Sequence, residues 1–407
     1  MRIVYPLLWS RPNRRACSEQ SMNTIAALAR QGHDMTLLMP RGASDPEVTA
    51  DDLRAYFDVE GEFRVVQRPS RWTGESLARS LMWLRQVRRE PVLRGADLLY
   101  SRIPAMLALG RLSPLPFVSD HYRPWPDDLP AIRPLIRRTA RHHRSLGIVT
   151  HSHFAAESYR RIGVAPEHLL VAHNGAEPRR RGRAVTKAEA RSRLGLPAGR
   201  PIAAYAGRLN TLKGLDQILA LASLHPNTLF LLIGSEGDGP VEREAAAHPN
   251  VHVVGWQAPA ELPVWLSAAD LLLIPPSRAP LEKHRNCVLP LKLFAYLAAG
   301  RPILAPIAPD TAELLRDGEN ALLVPPDEPA AAAAALDHIL GDPALANRLA
   351  ANARLGSQTL TWDARAERIG AFLDARLDAQ RSQYRSTVAP PRSATTGAVH
   401  APTTAGK

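Results

Sequence analysis

The sequence predicts an α/β protein made of two doubly wound domains, each a parallel sheet with helices on both faces. Three observations carry this. A chain of 407 residues is too long for one ordinary core and suits two. Its start runs strand, loop, helix, glycine, strand, which is a βαβ unit. A second strand–helix series begins at Pro201, after a Pro/Arg/Gly run at 178–183 that reads as a linker.

The elements follow in order. Residues 2–9 form an apolar strand, 19–31 a helix capped by Ser18 and closed by Gly32, and 34–39 the next strand. Further strands are expected at 63–67, 97–100, 117–119, 147–150 and 169–172, with helices at 77–88 and 133–144. In the second series, strands 202–206, 228–233, 251–254, 271–274 and 302–305 alternate with helices 215–224, 260–268, 291–299 and 330–340. The alanine run at 330–335 needs no explanation beyond helix propensity. After about Gln380 the chain turns to Ser, Thr, Pro, Ala and Gly, too polar to order itself. Ligands of doubly wound sheets bind in the crevice at the C-terminal ends of the strands, and that is where chemistry is sought.

Composition narrows the class. Apolar residues at 45% and charged residues at 22% are those of a soluble globular protein. The two cysteines, Cys17 and Cys287, lie far apart and form neither a disulfide framework nor a metal cluster, which suits a reducing cytosol. The first ten residues turn polar too soon for a signal peptide, and no run approaches the ~18 apolar residues of a membrane span. A cytoplasmic protein is expected, with room for peripheral contact at the inner face of the plasma membrane. The net charge of +12 is uneven. Met1–Ala184 holds 29 Arg, no Lys and 18 acidic residues, whereas the remainder holds 22 basic and 21 acidic residues. Preference for Arg over Lys can reflect genome composition, but the asymmetry between halves cannot. A basic first half suits an anionic acceptor or anionic lipid. Nucleic acid is not expected, because no recognition motif accompanies the charge.

Arg208 and Lys213 follow the strand 202–206 on a glycine-containing loop that leads into a helix. Arg offers a planar fork for phosphate oxygens and Lys a point charge, so the pair can hold an anionic group such as a phosphate. No metal is needed if both are in place. The helix beginning near Leu291 and Lys292 can present N–H donors to the same anion. In the first half, Phe117-Val118-Ser119-Asp120-His121 ends a strand at the cleft side. Arg11, Arg14 and Arg15 crowd the loop 10–18, and Arg137, Arg141 and Arg144 fall on one face of the predicted helix 133–144, which suits anionic lipid as well as plain solvent. His151 and His153 are two residues apart after a strand and lack helical metal-ligand spacing, so no metal is expected there.

Two stretches carry a family resemblance. Ala206-Gly207-Arg208-Leu209-Asn210-Thr211-Leu212-Lys213-Gly214 and Pro290-Leu291-Lys292-Leu293-Phe294-Ala295-Tyr296-Leu297-Ala298-Ala299-Gly300-Arg301-Pro302 resemble the donor-binding half of retaining glycosyltransferases of family 4, which have the GT-B fold of two Rossmann-like domains facing across a cleft. Weaker matches are Ile233–Gly239, which places Gly234 near the nucleotide, and Val254-Gly255-Trp256-Gln257, where Trp256 and Gln257 belong to the base-reading segment. The segments 150–157 and 172–177 also resemble family members. The chain departs at three places: Ala295 stands where the family carries a ribose-binding Glu, Cys287 where it carries a Glu acting on the sugar, and the loop 10–18 lacks the Gly pair of many relatives. Glu282 is an upstream carboxylate that could stand in.

The resemblance implies transfer of a sugar, with retention and without a metal, from a UDP- or GDP-linked donor to a lipid-linked, polysaccharide or other glycan acceptor. It implies Arg208, Lys213 and His121 as catalytic residues, and Gly207, Arg208, Lys213, Gly234, Trp256, Gln257, Leu291 and Lys292 as donor-binding residues. No cofactor beyond the nucleotide-sugar substrate is implied. The domains expected are an acceptor-side domain at 1–179, a donor domain at 180–361, a helix at 362–380 returning to the first domain, and an unordered tail at 381–407. Ala295 and Cys287 also fit a catalytically silent GT-B scaffold in a glycan pathway, and a sugar-nucleotide epimerase is a third reading on the same fold.

Overall fold

The computed structural model describes residues 1–388 apart from 73–75, 182, 184 and 288. Two all-parallel sheets organise it. The first contains β1 (Arg2–Pro6), β2 (Asp34–Arg41), β3 (Phe63–Pro69), β4 (Leu98–Ser101), β5 (Phe117–His121), β6 (Ser145–Thr150) and β7 (Leu169–Val171), in the order β3-β2-β1-β4-β5-β6-β7. The second contains β8 (Ile202–Ala206), β9 (Leu229–Ser235), β10 (Val251–Gly255), β11 (Leu271–Leu273), β12 (Ile303–Pro306) and β13 (Leu322–Val324), in the order β10-β9-β8-β11-β12-β13. Each order reverses direction beside the first strand of its half, between β1 and β4 and between β8 and β11. Those reversals open the crevices in which such sheets bind ligands. Central strands such as β8 read as apolar runs because helices cover both faces of a parallel sheet; all five residues of β8 are buried, as are all five of the more polar β5.

The last helix, Trp362–Val388, follows the second sheet in sequence yet packs into the first core. Trp362, Ile369 and Leu373 join Ile3, Tyr5, Ile25 and Leu37. To reach it the chain recrosses beside its own outward path: Ala176 pairs with Thr361, and its N–H donates to the Leu360 carbonyl at 2.9 Å. A Cβ on Gly175 would lie 2.2 Å from the Thr361 carbonyl carbon, so only glycine permits the two crossing strands to lie this close. The expected linker 178–183 is a helical turn, Pro178–Arg181, tied to the first half. Arg179 pairs with Asp58 and Glu60, Arg180 with Glu19 at 3.1 Å, and Arg183 with Asp58 at 2.7 Å.

Several local expectations differ from the structure. The first helix is Ala16–Arg30, and Ser18 does not cap it. Ser18 lies in its first turn, buried, and donates to Asn13 Oδ1 at 2.9 Å, which also accepts from the Arg15 N–H at 3.1 Å. The helix expected at 133–144 ends at Ala140, because the chain turns through His142 to enter β6. Arg144 therefore leaves the basic face and donates to the Ser113 carbonyl at 2.7 Å. The helix Ala50–Phe57, with a capping box from Thr49 and Asp52, was not expected. The last helix runs eight residues past 380, and residues 389–407 of the expected tail lie outside the described residues. Among the described residues, no helix is long and apolar enough to cross a membrane.

Candidate active site

The loop after β8 is built on two touching backbones. Gly207 (φ +144°) donates its N–H to the Ile233 carbonyl at 2.8 Å, and a Cβ on Gly234 (φ +123°) would lie 2.5 Å from the Gly207 carbonyl oxygen. Glycine at both positions leaves a floor free of side chains at the ends of β8 and β9. Lys292 projects onto this floor from the first turn of the helix Leu291–Ala299. Its Nζ sits 3.4 Å from the Tyr205 ring centroid and 2.7 Å from the place a Gly207 Cβ would take. Desolvation, and then the Lys213 charge, hold the Lys292 ammonium well below its ordinary pKa. Lys213 ends the helical turn Thr211–Lys213, capped by Asn210 Oδ1, which accepts from the Leu212 N–H at 3.1 Å. The surrounding atoms, then Arg208 and Lys283, lower its pKa too. Arg208 alone of the three cations has a carboxylate partner among the described residues: its Nε lies 3.2 Å from Glu236, and both side chains remain open to solvent. Unpaired cations this close repel one another, and an anion between them relieves the cost.

The side chains of the expected base-reading segment make contacts of their own and leave its backbone for the base. Trp256 stacks on Tyr56 of the first half (centroids 6.1 Å, 22° between planes), with the Arg14 guanidinium 4.5 Å from its ring. Gln257 faces its own half, its Oε1 accepting from Trp265 Nε1 at 3.0 Å and its amide donating to the Gly255 carbonyl. Leu291 packs against the first core, so the start of its helix lies at the junction of the halves. Ala295 lines a cavity between the halves with Leu262, Leu266, Ala298 and Trp362. The carboxylates on that cavity are Glu19 and Glu177; Glu282 is not among its lining residues.

His121 closes β5, 2% exposed, with its Nε2 unpartnered and its ring edge-on to Trp125 at 6.5 Å. Burial lowers its pKa to about 3, against the opposing pull of Asp120. The imidazole is therefore neutral at physiological pH. Beside it, Asp120 accepts from Tyr100 at 2.8 Å and from Arg365 of the last helix at 2.7 Å. Burial alone would raise the Asp120 pKa, but Arg365 and Arg102 hold it below the usual carboxylate value. The loop after the helix Arg278–Lys283 joins this end of β5 to the lysines. Arg285 pairs with Asp128 at 3.3 Å, Cys287 Sγ donates to the Tyr122 carbonyl at 3.0 Å, and Lys213 and Arg123 both lower the pKa of His284 after desolvation. Glu313 latches the halves at another point. It accepts from the His153 and Phe154 N–H groups at 2.9 and 2.7 Å, capping the helix His153–Arg161, and pairs with His173 at 2.8 Å. Sequence reasoning missed Arg365 and Glu313, whose partners lie more than a hundred residues away, and Asp310, which accepts from the Leu289 N–H.

The neutral His121 implies an acid sensitivity. Its native pKa lies below the unfolded value near 6.5, so between about pH 6.5 and 3 the unfolded chain binds a proton that the native state refuses. Stability falls as pH drops through that window. Thermal melting across it should show a shallower loss in His121→Gln than in the wild type; equal slopes would mean that His121 is hydrated.

Comparisons with known proteins agree with this architecture. The family model "Glycosyltransferase Family 4" matches residues 20–180 and the model "Glycosyl transferases group 1" matches 186–356. A D-inositol 3-phosphate glycosyltransferase of Streptomyces bingchenggensis is 30% identical over 57% of this chain and 52% of its own length. Its counterpart in Xylanimonas cellulosilytica is 30% identical over 49% of this chain and 47% of its own. The chain thus spans about half the length of the curated relatives it matches. Among solved structures, the sucrose-phosphate synthase of Thermosynechococcus elongatus superposes with a TM-score of 0.70 at 20% identity, covering 95% of this chain and all of that one. Anabaena Alr3699/HepE, solved in complex with UDP-glucose, gives 0.68 at 18%, covering 92% and all of it. With one domain model on each sheet and this likeness along nearly the whole chain, the protein belongs to the group 1, family 4 glycosyltransferases and has their GT-B fold.

Proposed function

We propose that the protein transfers a sugar from a nucleoside diphosphate-sugar to an anionic glycan or lipid-linked acceptor, with retention at the anomeric carbon and without a metal at the diphosphate. The observation that carries this is the cluster of Arg208, Lys213 and Lys292 on the Gly207–Gly234 floor, where two lysines stand without a carboxylate among the described residues. A leaving diphosphate gains negative charge, and fixed cations aimed at it lower the barrier. His121, neutral and backed by the Asp120 carboxylate, adds no positive charge where the anomeric carbon becomes cationic and retains a hydrogen-bonding nitrogen for a sugar hydroxyl. The relatives named for D-inositol 3-phosphate, and the basic first half, support an anionic acceptor. The open surface of Arg133, Arg137, Arg138 and Arg141 supports contact with an anionic membrane on the cytoplasmic side.

Calorimetric titration of UDP, GDP and ADP tests the reading. One nucleotide should bind saturably, and Lys292→Met should weaken it by about tenfold or more while raising the melting temperature of the free protein, since a desolvated like-charge ammonium is removed. No binding of any nucleotide by folded protein would favour the silent scaffold, a reading for which Ala295 and Cys287 are the observations.

A further inference from the structure

Across the cleft, three potential metal ligands converge outside the phosphate loop. His151 follows β6 in the first half; Cys287 precedes the helix Leu291–Ala299 and Asp310 follows β12, both in the second. One ligand atom of each lies within 4.8 Å of the other two, and the residues are 3%, 3% and 0% exposed. His151 Nδ1 is buried without a partner. Ser152 hydrogen-bonds the Cys287 sulfur, and the Leu289 N–H donates to Asp310 Oδ2, so two of the three groups have an outer partner fixing them.

Nucleophilic catalysis is the other use of a Cys, a His and an Asp. It fits poorly, because burial raises the Cys287 thiol pKa, with the Asp310 charge adding to it, and leaves no thiolate to attack. A metal reverses that balance by taking the sulfur as thiolate outright. One nitrogen, one sulfur and one oxygen ligand suit Zn²⁺, three protein ligands leaving a fourth position for water.

We propose that His151, Cys287 and Asp310 form a Zn²⁺ site that staples the two halves together. Binding breaks the Cys287 S–H bond, releases its proton to solvent and forms bonds from zinc to sulfur, imidazole nitrogen and carboxylate oxygen. The thiol gives up its hydrogen bond to the Tyr122 carbonyl as it does so. Zinc with one thiolate and one carboxylate is neutral overall, which matters because Arg102 and Arg365 act on His151 and would repel a bare cation. Because the ligands come from both halves, zinc would hold the halves in the arrangement in which these three groups meet. The site does not depend on the transfer reaction proposed above.

The test is titration of purified, metal-stripped full-length protein with Co²⁺ and Zn²⁺, followed by absorption and calorimetry. One equivalent of Co²⁺ should bind with a thiolate-to-cobalt charge-transfer band, and Zn²⁺ should displace it, releasing about one proton near neutral pH. Cys287→Ser should lose the band and weaken Zn²⁺ at least about a hundredfold, while Cys17→Ser keeps both. Asp310→Asn, which preserves an acceptor for the Leu289 N–H, should weaken binding without unfolding the chain. Absence of saturable binding, or a band that survives in Cys287→Ser, would overturn the proposal. Nucleotide titration of the same samples reads the transfer site separately.

Discussion

Arg208→Ala and Lys213→Ala should each lower kcat for the proposed sugar transfer by about 100- to 1,000-fold, the usual loss when one fixed charge-stabilising donor is removed from a transition state. Charge on the leaving diphosphate is greatest in the transition state, so kcat falls more than donor affinity, which drops by roughly 10- to 100-fold for one lost charged hydrogen bond. Neither change should unfold the protein. The Arg208 pair with Glu236 is solvent-exposed and contributes little to stability, and Lys213 is free of a carboxylate partner among the described residues. Unchanged melting with lost transfer is thus the expected pattern, measured by initial rates and calorimetry on the same preparations. Glu236→Gln is the counter-test: it releases Arg208 for the diphosphate and should tighten nucleotide binding. Transfer rates within twofold of wild type in both alanine variants would sink the assignment of this loop.

How far the sequence could be read depends on whether the relevant physics is local. β8 was legible because an apolar run ends in Gly207, and the helix Leu291–Ala299 because its periodic face is closed by Gly300. Ser18 reads as a cap from the sequence, but the helix starts earlier, at Ala16 after Arg15, without a side-chain cap, and the Ser18 hydroxyl is spent on Asn13. The helix expected at 133–144 is overlong because Arg141–Arg144 form the turn into β6 instead. Lys292 could be placed on the right helix, but its approach to Tyr205 and Gly207 arises only when β8 and that helix pack. The cavity beside Ala295 was likewise invisible: Glu19 and Glu177 reach it only after the chain has crossed between halves. Cys287 was flagged for what it replaces, whereas its neighbours His151 and Asp310 come from two different strand ends.

Arg365→Met should destabilise the first half by about 3–5 kcal/mol, because it strands a buried carboxylate. Arg365 is 0% and Asp120 2% exposed at the side chain, and their charged atoms lie 2.7 Å apart. Arg365 also donates to the Ala172 carbonyl, so the truncation orphans a backbone acceptor as well. For a half of this size the loss corresponds to a fall in melting temperature of roughly 6–20 °C. The pair also sets an acid limit. The native pKa of Asp120 is held below its unfolded value near 3.9, so its contribution is present above that pH and is lost as pH falls through the native value. In Arg365→Met the carboxylate loses its counter-ion and its pKa rises, so the variant should recover some stability on mild acidification where the wild type loses it. Combining Arg365→Met with Asp120→Asn removes the stranded charge while keeping an acceptor for Tyr100, and should restore more than half of the lost stability. Because Asp120 adjoins His121 at the end of β5, the double variant should still transfer poorly if His121 attends the sugar as proposed. Double-variant melting no higher than the single variant's, measured by calorimetry, would show that the helix is held by its apolar face alone.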